Sequence, residues 1–121
     1  MGFCFGGLCV LDLVRMGADI QGVASFHGIL KSAPECKTQT IKAQILVLHG
    51  YDDPMVSPQD VLDFCEEMKK YQAQFQVNMY SNTMHAFTNP MANDLSFGTV
   101  YQSQTAKKSF EAAHAFFRDI L

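Results

Sequence analysis

The chain has 121 residues, 48% of them hydrophobic and 17% charged, with 4 Cys, no Trp and a formal net charge of -3. That length suits one domain with an ordinary apolar fraction. The slightly acidic balance gives no electrostatic footprint for nucleic acid or for an anionic membrane, and no apolar run approaches the roughly 18 residues of a spanning helix.

The opening residues, MGFCFGGLCVLDLVR, are apolar but lack a basic stretch, which speaks against a secretory signal. Leu8, Leu11, Val14 and Ala18 recur at helix-face spacing and predict a helix over 7–18, ending around Gly17 and Asp19. Residues 22–26, Gly-Val-Ala-Ser-Phe, read as a short buried strand closed by His27-Gly28, and the polar stretch 31–40 as a surface loop. Ile45-Leu46-Val47-Leu48 is a continuous apolar run, the pattern of a parallel strand covered on both faces. Tyr51 to Pro54 follows as a turn. Ser57, Pro58 and Asp60 then make a helix start, with a hydroxyl cap, proline in the first turn and an acid at the capping-box position. That helix carries Val61, Phe64, Cys65 and Met68 on one face. Residues 75–80 alternate as a third strand and 81–102 read as loop. A last helix is marked by Ala106, Phe110, Ala113, Phe117 and Leu121.

Strands alternating with helices imply an α/β fold: a parallel sheet of about three strands flanked by helices. Ligands in such sheets sit beyond the carboxyl ends of the strands. Those ends place His27, His49, Asp52, Asp53 and His85 on one edge. The four cysteines, at 4, 9, 36 and 65, include no C-x-x-C pair. Free thiols in a reducing compartment, the cytoplasm, suit that spacing better than a disulfide framework or a zinc site.

Gly2-Phe3-Cys4-Phe5-Gly6-Gly7 fits G-x-[Ser/Cys]-x-G immediately before a helix. A sharp strand-to-helix turn of this kind pushes a nucleophile out of the sheet, and the flanking glycines let backbone approach. The helix N-terminus facing the sulfur is expected to lower the thiol pKa. Chain order strengthens the reading: Cys4, then an acid after the second strand, then a histidine after the third. In a Cys-His-Asp set, His85 takes the thiol proton and returns it to the leaving group while Asp53 orients the imidazole. The backbone N–H of Phe5 is an oxyanion donor. His27 and Phe87 are possible pocket residues, although a structural role suits His27 as well; Phe5 is a further candidate wall. His49 reads as structural and His114 as a surface residue. His27, His49 and His85 with Asp53 could in principle hold a metal, but no H-x-H or H-E-x-x-H spacing supports it.

The stretches GFCFGG (2–7), VASFHG (23–28), ILVLHGYDDPMV (45–56) and MHAFTNP (84–90) together closely resemble the dienelactone hydrolase family of α/β-hydrolases. The resemblance spans nearly the whole chain. It implies Cys4 as nucleophile, Asp53 as the orienting carboxylate with Asp52 its nearest rival, and His85 as base. It implies hydrolysis of a small ester or lactone through an acyl-thioenzyme, with no metal or organic cofactor. It also implies that 1–121 is a partial domain, the C-terminal half of the fold starting at the elbow. The early strands, a second oxyanion N–H and residues that bind the substrate carboxylate are then expected to lie in a preceding half. Strand 22–26 is expected to present a hydrophobic edge, open to a second copy or to such an N-terminal half. A non-catalytic α/β module acting by self-association or partner binding is the alternative.

Overall fold

The computed structural model describes residues 1–31 and 38–121; residues 32–37, with Cys36 and most of the expected 31–40 loop, lie outside the described residues. In chain order the elements are β1 (Gly2–Phe3), α1 (Phe5–Arg15), β2 (Gly22–Phe26), β3 (Gln44–Gly50), α2 (Pro58–Lys70), β4 (Phe75–Tyr80), β5 (Asn93–Asp94), β6 (Thr99–Val100) and α3 (Ser103–Ile120). The sheet runs β1-β2-β3-β4 with every pairing parallel. Four strands stand where about three were expected. The additional one is β1, whose Gly2 and Phe3 pair with Ser25 and Phe26. The strand that delivers Cys4 is therefore present in two residues, and it covers one end of β2. Gly22 to Ala24 have no β1 partner.

The uninterrupted apolar run of β3 is explained by the two cores. Ile45 and Val47 point into one cluster with Leu11, Val14, Val23, Phe64 and Met68, under α1 and α2. Leu46 and Leu48 point into the other with Ala24, Phe26, Phe87 and Ala113, under α3. Side chains alternate across a strand, so burial on both faces requires an apolar residue at every position. On the α1/α2 side Arg15 is buried, with Nε and Nη2 donating to the two carboxylate oxygens of Glu67 at 3.0 and 2.6 Å and Nη1 donating to Asp12. A buried guanidinium is tolerated only when so paired, and this fork fixes α1 against α2.

The helix boundaries follow their caps. Ser57 Oγ accepts from the Asp60 N–H and the Asp60 side chain accepts from the Ser57 N–H, the capping box expected there. For α3 the Gln102 side chain accepts from the N–H groups of Gln104 and Thr105. α1 starts two residues earlier than its hydrophobic spacing indicated, directly at the elbow, and ends at Arg15. Among the described residues no helix is long and apolar enough to cross a membrane.

Candidate active site

Backbone sterics place Cys4. It joins β1 to α1 with φ 50°, a left-handed conformation uncommon outside glycine. A Cβ at Gly2 would run into the carbonyl of Gly6, and one at Gly7 would sit 2.6 Å from Ser25 Oγ and 2.8 Å from Gly28 Cα. These two glycines let the first turn of α1 close over β1 and against the end of β2. Gly6 differs: a Cβ there would meet nothing within 4 Å. The thiol is half-buried at the N-terminus of α1, where the first N–H groups have no partner inside the helix.

The acid and the histidine arrive from two loops. Asp53 follows β3 in a turn in which its N–H donates to Gly50 O and its Oδ1 accepts from the Met55 N–H at 2.8 Å. Its other oxygen, Oδ2, lies 2.8 Å from His85 Nδ1, with both residues buried. Asp52, by contrast, is exposed, so of the two adjacent acids Asp53 faces the site. His85 lies in the stretch expected as plain loop, which instead contains the antiparallel β5–β6 hairpin. The hairpin grips the histidine by its backbone: the His85 N–H donates to Gly98 O and the Val100 N–H donates to His85 O, at 3.0 and 3.2 Å. Its turn is set by Asp94 Oδ1, which accepts from Phe97 N–H and Ser96 O–H, and by Gly98 at φ 83°. Asp94-Leu95-Ser96-Phe97-Gly98 carries turn-forming residues at both ends, a signal that the reading of 81–102 as loop passes over.

His27 is the residue whose role sequence reasoning left undecided. Its Nδ1 lies 3.2 Å from Cys4 Sγ and 3.3 Å from the Cys4 N–H, and its Nε2 lies 2.8 Å from Thr88 Oγ1. Because the backbone N–H can only donate, Nδ1 carries the lone pair, and the ring proton sits on Nε2 facing Thr88. Burial, with His85 beside it, lowers the His27 pKa to about 4, so the ring is neutral at physiological pH. Cys4, His27 and His85 each offer a donor atom within 4.8 Å of the others. Phe87 stacks edge-on against His27 with centroids 4.9 Å apart and is fully buried, which makes it the support behind the ring rather than an open wall. Phe5 is exposed beside Cys4.

The expected lowering of the thiol pKa is corrected. Desolvation by burial raises it, and the Asp53 carboxylate adds to the rise. Both effects oppose the helix N-terminus and favour the neutral thiol. His49 is buried at the end of β3, where desolvation lowers its pKa; it does not belong to the Cys4–His27–His85 cluster. His114 is exposed, as expected. The three described cysteines, Cys4, Cys9 and Cys65, are free, and Cys9 is exposed. A separate surface hollow along α3, lined by Lys107, Phe110 and His114 among others, contains none of the clustered residues.

The sequence profile of the dienelactone hydrolase family matches residues 1–121. The chain belongs to that family. An uncharacterized Caenorhabditis elegans protein is 35% identical over 121 residues, which cover 98% of this chain and 77% of that one. The human carboxymethylenebutenolidase homolog is 24% identical over 97 residues, covering 79% of this chain and 39% of its own. Among solved structures, a dienelactone hydrolase-like promiscuous phosphotriesterase from metagenomic libraries superposes with a TM-score of 0.88 at 31% identity, over 98% of this chain and 50% of that one. The chain thus spans about half the length of the solved dienelactone hydrolase structures it matches.

Proposed function

We propose that the chain carries the acyl-transfer machinery of a hydrolase acting on a small carboxylic ester or lactone, with Cys4 as nucleophile, His85 as base and Asp53 as the carboxylate that orients it. The observation that carries the reading is the buried Asp53–His85 pair, 2.8 Å apart, converging with Cys4 at a left-handed elbow. With Nδ1 donating to Asp53, His85 presents the lone pair of Nε2 toward the thiol. Because Cys4 rests protonated, deprotonation accompanies attack rather than preceding it: the S–H proton passes to Nε2 as sulfur adds to the carbonyl carbon. The Phe5 N–H, at the start of α1, receives the oxyanion. Collapse expels the alkoxide, which takes the proton from His85 and leaves a thioester on Cys4. Water, deprotonated by the same ring, then releases the acid.

His27 is the competing base, since its Nδ1 lies within hydrogen-bond distance of the sulfur, at 3.2 Å. A ring whose pKa falls to about 4 holds a transferred proton poorly near neutrality, and Thr88 supplies no charge to stabilise it. Asp53 supplies that charge for His85. The proposal therefore assigns His27 to positioning the thiol. Cys4→Ala is expected to abolish turnover of an activated ester such as p-nitrophenyl acetate by the purified chain, measured against Cys9→Ala. A Cys4→Ala protein that keeps the parental rate refutes the assignment.

A further inference from the structure

An acyl-transfer triad needs one imidazole at its thiol, and this site has two. The second one, His27, turns a nucleophile–base pair into a three-donor set. We propose that Cys4 Sγ, His27 Nδ1 and His85 Nε2 form a tripod for a soft divalent cation, Zn2+ by the chemistry of its donors, with the fourth position open beside the half-buried thiol.

Three observations carry this. The first is spacing. Tetrahedral zinc, with Zn–N near 2.1 Å and Zn–S near 2.3 Å, needs donors about 3.3–3.7 Å apart. Sγ and His27 Nδ1 stand at 3.2 Å, and no pair in the set exceeds 4.8 Å. Closing the set takes shifts of about 1 Å, within the reach of side-chain rotation.

The second is the support around each ring. A metal-bound histidine characteristically donates its other N–H to a carboxylate or another oxygen, which fixes tautomer and orientation. Both rings already do so: His85 Nδ1 faces Asp53 Oδ2 and His27 Nε2 faces Thr88 Oγ1, each at 2.8 Å. His27 Nδ1 thereby faces the thiol at 3.2 Å, and His85 keeps a donor atom within 4.8 Å of both. The Cys4 N–H that now shares His27 Nδ1 keeps Phe26 O as an acceptor at 3.0 Å, so a metal taking that lone pair orphans no backbone group.

The third is charge. Asp53 is a buried carboxylate 2.8 Å from His85, and a thiolate on Cys4 places a second negative charge in the same site. A dication reverses that balance: with thiolate and carboxylate it makes a neutral cluster. On binding, the S–H proton leaves to solvent and its bonding pair becomes the Zn–S bond. One thiolate and two imidazoles select zinc, cobalt or copper over magnesium and calcium, which prefer oxygen donors. Occupancy takes the nucleophile and the base together. That consequence, reversible inhibition, rests on the hydrolase reading; the binding itself does not.

Co2+ is the probe, because tetrahedral thiolate coordination shows in its spectrum whether or not the chain turns over an ester. Titration of the purified, reduced chain with Co2+ should saturate at one equivalent. It should give a thiolate-to-cobalt charge-transfer band, lost in Cys4→Ser and retained in Cys9→Ser. Thr88→Val should weaken binding by about 10-fold, the low end of the range known for partners of metal-bound histidines, and His27→Gln, which removes a ligand, by more than about 100-fold. Should either variant fail to fold, the parental chain decides by alkylation. Stoichiometric Zn2+ should slow iodoacetamide labelling of Cys4 at least 10-fold and leave Cys9 unchanged, read by peptide mass spectrometry. No charge-transfer band, a band indifferent to Cys4→Ser, or Cys4 labelling unaffected by Zn2+ overturns the proposal. Zinc protection in a chain without esterase activity would uphold it and count against the hydrolase reading alone.

Discussion

At the elbow, Cys4 is placed within seven residues by backbone contacts that only glycine permits, at Gly2 and Gly7. His85 is placed by hydrogen bonds to residues far away in sequence: Asp53 through its ring, Gly98 and Val100 through its backbone. The elbow is a steric device and tolerates no added atom where backbones touch. The histidine side is a polar device, whose parts are individually replaceable but whose charge is not. His27 belongs to the elbow side, since it ends the strand that β1 pairs with, and it is neutral. The two histidines therefore sit at one thiol with different electrostatic equipment, and that difference can be tested.

The largest effect is expected on turnover. His85→Gln should lower kcat by about 10^6, the scale found when the histidine of a triad is removed. His27→Gln should lower it by less than about 100-fold, because it perturbs the position of the thiol but leaves proton transfer in place. Equal losses in the two variants would move the base to His27. A steady-state comparison on one activated ester suffices.

A second test separates the two rings through pH. His27 holds its proton only below about pH 4 in the folded chain, against an ordinary value of 6.5. Between those values the unfolded chain binds a proton that the native one refuses, so stability rises with pH across this window and is lost as pH falls toward 4. The full difference is about 3 kcal/mol. The buried His49 contributes with the same sign. Urea unfolding at pH 7 and pH 5 should show the fall, and His27→Gln should flatten it. A parental chain equally stable at both values would mean that His27 is hydrated rather than desolvated.

Much of this architecture was legible, and the exceptions share a cause. The apolar run at 45–48, the Ser57–Asp60 capping box and the G-x-C-x-G turn are local patterns with one physical solution each, and they fold as written. The chain order of Cys4, Asp53 and His85 was likewise visible. What stayed hidden depends on pairing across the chain. Two residues at 2–3 carry no strand pattern of their own, and become β1 only because Ser25 and Phe26 lie beside them. The β5–β6 hairpin is too short for alternation to register. The direction of the Cys4 pKa shift needed burial and the distance-dependent field of Asp53, neither of which spacing encodes. His27 sits where a structural histidine would also sit, and only the 3.2 Å contact to sulfur separates the two.

The steric device can be probed one methyl group at a time. Gly7→Ala places a Cβ against Gly28 backbone and Ser25 Oγ, neither of which is the far end of a flexible side chain. Overpacking of this kind costs about 1–3 kcal/mol, and the midpoint of urea unfolding should fall accordingly.

The adjacent change should do the opposite. Gly6 is helical with nothing within 4 Å of its would-be Cβ, and its φ is not in the left-handed region. Gly6→Ala therefore removes backbone freedom from the unfolded chain without a clash and should stabilise the protein by about 0.5 kcal/mol, the low end of the range because the position lies in the first helical turn. Opposite signs for neighbouring glycines would identify Gly7, not the second glycine of the G-x-C-x-G pattern, as the one that packing requires. Turnover then shows what Gly6 is for. If Gly6→Ala is more stable and equally active, the position is unconstrained. If it is more stable but slower, the empty space over Gly6, next to the Phe5 N–H, is room that the substrate occupies.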